Sequence, residues 1–273
     1  MANGILVLVL ATFVFGVSHC GSFRERGNSV SHAQELARKE LEGQGIPYTK
    51  DAFLERVKSG DTRSVDLFLT AGMDANTKYE AKTTPLMVAC LFERAETIKA
   101  LLNRGADVNA KDDIGRTPLI YAIQNGGDKI TVRSLLEKGA DPNAKLNDGR
   151  TVLMFSMDHP EIVRALIEKG ANANAKSPET GESMLMLMVL GDYIENVKAV
   201  LAGGADVNAR DDHGNTALIL AAANNKLEFS KALLEKGADV NAKAQNGETS
   251  LAVAKRNGFS KMAELLGQSG AKE

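Results

Sequence analysis

Tryptophan is absent, and 9 Phe and 4 Tyr are the only aromatic residues among 273. Any core must therefore be built from Leu, Val, Ile, Ala and Met. Two cysteines are too few for a disulfide-stapled scaffold or a four-cysteine zinc site. A basic excess is missing as well: 33 Lys and Arg stand against 35 Asp and Glu, a net charge of −2. That removes the electrostatic footprint of a nucleic-acid binder. Apolar residues at 44% and charged residues at 25% are ordinary for a globular chain, so disorder of the whole is excluded.

Long apolar runs are also scarce, with one exception. Ile5 to Val17 is uninterrupted, and no charge precedes Arg24. The run is short of the roughly 20 residues that span a bilayer, but it fits the apolar region of a secretory signal. The basic stretch that usually opens such a signal is missing. The run ends in Val17-Ser18-His19-Cys20-Gly21-Ser22. This resembles a bacterial lipobox, in which the cysteine is lipidated and becomes the new N-terminus. His19 departs from the motif, which has Gly or Ala there. Residues 1–20 are therefore read as a signal peptide with Cys20 as the lipidation site. Cleavage after Gly16-Val17-Ser18 and retention as an anchor remain open. The leading versions export the rest to the periplasm or outer membrane, lipid-anchored. Cys90 lies in an apolar helix and reads as a small buried hydrophobe.

The remainder repeats itself. Gly-Ala-Asp or Gly-Ala-Asn recurs at Gly105, Gly139, Gly170, Gly204 and Gly237, with degenerate copies at Gly72 and Gly270. A second landmark keeps the same phase: Thr84-Pro85-Leu86, Thr117-Pro118-Leu119, Thr151-Val152-Leu153, Ser183-Met184-Leu185, Thr216-Ala217-Leu218 and Thr249-Ser250-Leu251. Thr or Ser before Pro starts a helix, because the hydroxyl caps free N–H groups and Pro suits the first turn. A second helix follows with one apolar stripe, as in Ile98, Leu101 and Leu102. Glycine then closes it as a left-handed cap.

These landmarks identify the chain as similar to the ankyrin-repeat family, whose pattern is a β-turn, Thr-Pro-Leu-His-x-Ala, a second helix and Gly-Ala-Asp-Val-Asn-Ala. The resemblance implies an all-α solenoid of stacked helix–turn–helix units with short β-hairpin loops. It covers about residues 51–273: an N-terminal cap at 51–78, repeats at 79–111, 112–145, 146–177, 178–210 and 211–243, and a C-terminal cap at 244–273. No unit buries its apolar face alone, so stacking supplies the core. Residues 21–50 are read as a linker with a helix over Ala33 to Gln44 leaning on the first cap; a flexible spacer is the alternative.

The sequence departs from the family in three ways. Met87, Ile120, Met154, Met186, Ile219 and Ala252 replace the motif His, so packing is expected to substitute for its inter-repeat hydrogen bonds. The repeat at 146–177 is two residues short between its helices, at Asp158-His159-Pro160-Glu161. Its neighbour is Met-rich, Met184-Leu185-Met186-Leu187-Met188, and Met specifies packing poorly. The stretch 151–194 is thus expected to be the softest part of the stack.

No catalytic or metal-ligating motif appears. The four histidines show no ligand spacing, and HExxH, Gly-x-Ser-x-Gly and phosphate loops are absent. His213 sits at a hairpin tip, and Asp112 and Asp211 match the family's turn Asp, which orders the hairpin. The expectation is a monomeric non-enzyme without cofactor, small-molecule substrate or nucleic acid, binding a protein partner outside the cytoplasm. An immunity protein that masks a toxin and an accessory scaffold of an envelope enzyme are the alternatives. In the family, hairpin tips and first helices line a concave binding face. Leu91, Phe92, Ile114, Arg116 and Arg150 combine apolar and basic character there, and they are the expected partner-binding residues, facing an acidic or mixed-charge patch.

Overall fold

A hydroxyl opens most of the units. Thr84, Thr117, Ser183, Thr216 and Thr249 each accept a hydrogen bond from the backbone N–H three residues on, at 3.2–3.4 Å. The computed structural model describes residues 31–272; the apolar run and Cys20 lie outside the described residues. In chain order the helices are α1 (His32–Gly43), α2 (Lys50–Ser59), α3 (Thr62–Thr70), α4 (Pro85–Leu91), α5 (Ala95–Asn103), α6 (Pro118–Gln124), α7 (Lys129–Glu137), α8 (Pro160–Glu168), α9 (Met184–Leu190), α10 (Ile194–Ala202), α11 (Ala217–Ala223), α12 (Leu227–Glu235), α13 (Ser250–Arg256) and α14 (Ser260–Gln268). They pair as α2/α3, α4/α5, α6/α7, α9/α10, α11/α12 and α13/α14; each pair stacks on the next, except that α8 and the turn before it stand between α6/α7 and α9/α10. Among the described residues no strand forms. The hairpins are turns held at three places by isolated antiparallel bridges, Lys145–Thr151, Lys176–Ser183 and Lys243–Thr249.

The third internal unit differs. Its first helix is only a 3₁₀ turn, Val152–Phe155, and α8 begins five residues later at Pro160. The Thr151 hydroxyl is buried without a partner there. The turn before it is correspondingly full. Gly127 has φ +64°, and a Cβ on it would come within 2.7 Å of Ile162 Cδ1. Glycine takes this left-handed dihedral without strain, and any Cβ there would have to displace the Ile162 side chain.

The core runs unbroken through the stack. Leu86, Met87, Leu119, Ile120, Leu153, Met184, Met186, Leu218 and Met262 are all buried. The Met run of α9 thus packs inward, apart from half-buried Leu187. At the N-terminal end α1 leans on α3. Leu41 is fully buried, Arg38 donates to Ala71 O at 3.1 and 3.3 Å, and the Tyr48 and Phe68 rings stack at 5.6 Å.

Packing does not carry the unit-to-unit joints alone, contrary to the expectation from the missing His. Six asparagines bridge them: Asn76, Asn109, Asn143, Asn174, Asn208 and Asn241. Each donates through Nδ2 to the carbonyl of the next helix-closing glycine, from Gly105 to Gly270, at 2.9–3.3 Å. Each accepts on Oδ1 from the backbone N–H two residues beyond that glycine, at 2.7–2.8 Å. The glycine carbonyl is a helix-end orphan, and the asparagine satisfies it.

Candidate partner-binding surface

Every unit has a hairpin end and an interhelical end, joined by its first helix. The five residues expected to bind a partner divide between them. Ile114, Arg116 and Arg150 belong to hairpins that precede first helices. Leu91 and Phe92 lie at the far end of α4. A seven-residue helix separates the two groups by about 10 Å at 1.5 Å per residue. They therefore fall into two groups at opposite ends of the first-helix row.

At the hairpin end, Arg116 is tied into the fold. Its Nε donates to Asp112 Oδ2 at 2.6 Å, and its backbone N–H donates to Oδ1 at 2.7 Å. Tyr121 OH donates to the same Oδ2 at 2.9 Å, and the guanidinium lies 4.4 Å from the Tyr121 ring centroid. Burial works against the Asp112 charge, but Arg116 and Tyr121 outweigh it and hold the carboxyl below the usual range. Burial and Asp112 together push Tyr121 up to about 12. Asp211 orders its own hairpin in the same way, accepting from the His213 and Asn215 backbones at 2.9 and 2.8 Å. His213 itself is exposed. Arg150 is freer: it pairs with exposed Asp148 at 2.7 Å and lies 5.2 Å from the half-buried Phe155 ring centroid. Ile114 is 50% exposed.

At the interhelical end Leu91 is 37% and Phe92 42% exposed, so neither tucks into the cap. Leu190 occupies the matching place in α9 and is 39% exposed. After each exposed leucine comes an acidic residue in the left-handed region: Glu93 at φ 56° and Asp192 at φ 71°, where the caps use Gly60 and Gly258. Along the first-helix row, Phe155, Leu187 and Leu220 are half-buried. Sequence reasoning overlooked Ile130, which is 72% exposed at the start of α7. Its place on an apolar-striped helix hid it, and only packing shows that its side chain lies off the stripe.

A second set of joints runs along this edge. The carbonyl near the end of one unit's first helix accepts from a side chain of the next unit. Arg94 Nε donates to Lys58 O at 2.8 Å, and Asn125 Nδ2 donates to Leu91 O. Asn196 Nδ2 donates to Met157 O, Lys226 Nζ to Leu190 O at 3.3 Å, and Asn257 Nδ2 to Ala223 O at 3.4 Å. The joint between α6 and the shortened third unit has no such bond among the described residues. Hairpins show a matching gap. Backbone bonds link neighbouring tips at Asp113 N to Ala81 O, Asn147 N to Ile114 O and Gln245 N to His213 O, at 2.9–3.0 Å. They are missing on both sides of the fourth hairpin: Pro178 stands at the corresponding place and has no N–H to give, and Asp212 N, the equivalent donor of the fifth hairpin, makes no such bond among the described residues.

Known proteins place these features in one family. The model of ankyrin repeats (3 copies) matches residues 54–146, 113–177, 127–211 and 185–273. The human mitochondrial disaggregase is 29% identical over 179 residues, 63% of this chain and 24% of that protein. Mouse protein phosphatase 1 regulatory subunit 27 is 32% identical over 95 residues, 34% of this chain and 62% of that protein. Protein HOS4 of Saccharomyces cerevisiae is 42% identical over 72 residues, 26% of this chain and 7% of that protein. The chain therefore spans less than two thirds of each of these relatives. Among solved structures, the ankyrin repeat domain of Bcl-3 superposes with a TM-score of 0.70 at 27% identity, covering 78% of this chain and 96% of that one. The human ASB11 ankyrin repeat domain shares the fold at a TM-score of 0.63 and 23% identity, covering 81% and 98%. By its repeat period, its capped helix pairs and these matches, the chain belongs to the ankyrin-repeat family.

Proposed function

We propose that the chain is a protein–protein interaction scaffold that holds a partner across its first-helix row, touching Leu91 and Phe92 at one end and Ile114, Arg116 and Arg150 at the other. The carrying observation is the exposure of Phe92 beside Leu91. Large apolar side chains held at a surface are the usual anchors of an interface. Basic side chains at the hairpins favour an acidic or mixed-charge partner surface. No catalytic step is assigned to the chain.

The test pairs Phe92→Ala with Arg150→Glu, because Arg116 also secures a buried carboxylate. Partner capture should be abolished while the melting curve stays within about 2 °C, as for surface changes of a few tenths of a kcal/mol. Unchanged capture would refute the site. A more specific reading makes the partner an enzyme that the scaffold regulates, and it draws on the resemblance to a phosphatase regulatory subunit. Co-purification of an enzyme whose activity changes on adding the scaffold would support it.

Export and lipid anchoring through Cys20 form the second part of the proposal. They rest on the apolar run and the Ser18-His19-Cys20-Gly21 sequence. A multiply acylated N-terminus anchors stably where one chain is marginal. In a bacterial host, acyl label should enter the wild type and vanish in Cys20→Ala. Label persisting in that variant would defeat lipidation at Cys20.

A further inference from the structure

The asparagine bridges leave one matching pair of backbone groups over. Six times, an Asn side chain joins the carbonyl of a helix-closing glycine to the N–H two residues beyond it. Gly72 closes α3 in the same way, yet Gly72 O and Asp74 N make no hydrogen bond among the described residues. The loop around them is built like the others. Met73 N donates to Phe68 O at 2.9 Å, as Ala106 N does to Leu101 O at 3.0 Å. Asn76 N donates to Asp74 Oδ1 at 2.8 Å, as Asn109 N does to Asp107 Oδ1 at 2.9 Å. The difference lies upstream. Residues 31–49 contain no Asn, because α1 and Gly45-Ile46-Pro47 stand where later units have Gly-Ala-Asp-Val-Asn. Gln34 Nε2 comes within 3.0 Å of where a Cβ on Gly72 would lie, but the Gln34 Oε1 accepts from Ser31 N at 2.8 Å.

A cleft of about 550 Å³ lies at this pair. Gly72 and Asp74, both exposed, line it together with Tyr48 and Lys50 at the start of α2. In every later unit the bridging Asn comes from the segment before that unit's first helix, and Tyr48 belongs to that segment here. The cleft therefore lies on the side from which a bridging amide arrives. A primary amide is the group that fits, since it donates and accepts from neighbouring atoms. A carboxylate has no proton for Gly72 O, and an ammonium has no lone pair for Asp74 N. Lys50 and Lys78 add two exposed cations to the cleft. The Asp74 carboxylate is engaged within its own loop by Asn76 N. An amide with an acidic residue beside it suits this setting.

We propose that this cleft binds an asparagine side chain carried by an acidic segment of a partner protein, with Nδ2 donating to Gly72 O and Oδ1 accepting from Asp74 N, as one more bridge of the series. The site is separate from the first-helix row. The test uses the isotope-labelled full chain, titrated with acetyl-Asp-Val-Asn-Ala-amide, which copies the bridging sequence of residues 107–110. Analogues with Ala or Asp in place of the Asn are titrated in parallel. Saturable amide shifts centred on residues 72–74 are expected, and hydrogen exchange at the Asp74 amide should slow about tenfold at saturation. Both analogues should bind about tenfold more weakly, the scale of two neutral hydrogen bonds. Lys50→Glu combined with Lys78→Glu should weaken the probe while leaving the melting curve unchanged, and Phe92→Ala should leave probe binding as it is. Equal binding of the Ala analogue, unchanged exchange at Asp74, or full binding by the double variant would overturn the proposal. So would protection of the Asp74 amide before any probe is added, because the chain itself would then supply the bridge. Probe failure with partner capture intact removes the cleft and leaves the first-helix row; probe binding without capture does the reverse.

Discussion

Single residues here do more than one job, and Arg116 is the clearest case. It faces the proposed partner, yet it also neutralises Asp112, whose side chain is 1% exposed. Arg116→Ala should cost about 1–3 kcal/mol by leaving that carboxylate short of a donor, whereas exposed Arg150→Ala should stay within about 0.5 kcal/mol. Thermal melts of the two variants check this. The folded-state pKa of Asp112 is depressed, so its contribution is present above the unfolded value of about 3.9 and is lost as pH falls through the lower folded value. The wild type should therefore lose stability on acidification below about pH 4 more steeply than Asp112→Asn. Cys90 is 1% exposed, and burial pushes its thiol far above the ordinary range. In a Cys20→Ser background, a thiol reagent should label it only as fast as the chain unfolds; rapid native labelling would contradict the burial.

At the scale of elements, the third unit is the informative one. Two residues fewer between its helices leave room for a 3₁₀ turn and not for an α-helix. Leu153 still reaches the core at 1% exposure. Leu153→Ala should cost about 2–5 kcal/mol by chemical denaturation; a neutral result would mean that this unit is already frayed. The asparagine bridges are the complementary test. Asn109→Ala removes two hydrogen bonds at an exposed joint and should cost about 1–2 kcal/mol.

Across the whole molecule, stability is a sum of units and joints, and the joints are unequal. The asparagine series crosses all six joints. The interhelical series is interrupted before the shortened unit, and the hairpin series on both sides of the fourth hairpin, at Pro178 and at Asp212. Hydrogen exchange should therefore be faster in 151–194 than in 211–243; equal or greater protection there would show that the tight packing of the α9 methionines compensates for the lost bonds.

The 33-residue period, the Thr and Ser caps and the closing glycines made the helix pairs legible from the sequence, because each is a local rule acting within one turn of chain. The Asn of Asp-Val-Asn-Ala was equally periodic, but its role was not legible: the glycine carbonyls it binds lie 27–30 residues on, in the next unit. For the same reason the sequence could name Phe92, Ile114 and Arg116 as unusual without deciding that they divide between two ends of a row. Local chemistry settled which elements form; packing between units decided which polar groups are satisfied, which stay exposed, and where a partner finds purchase.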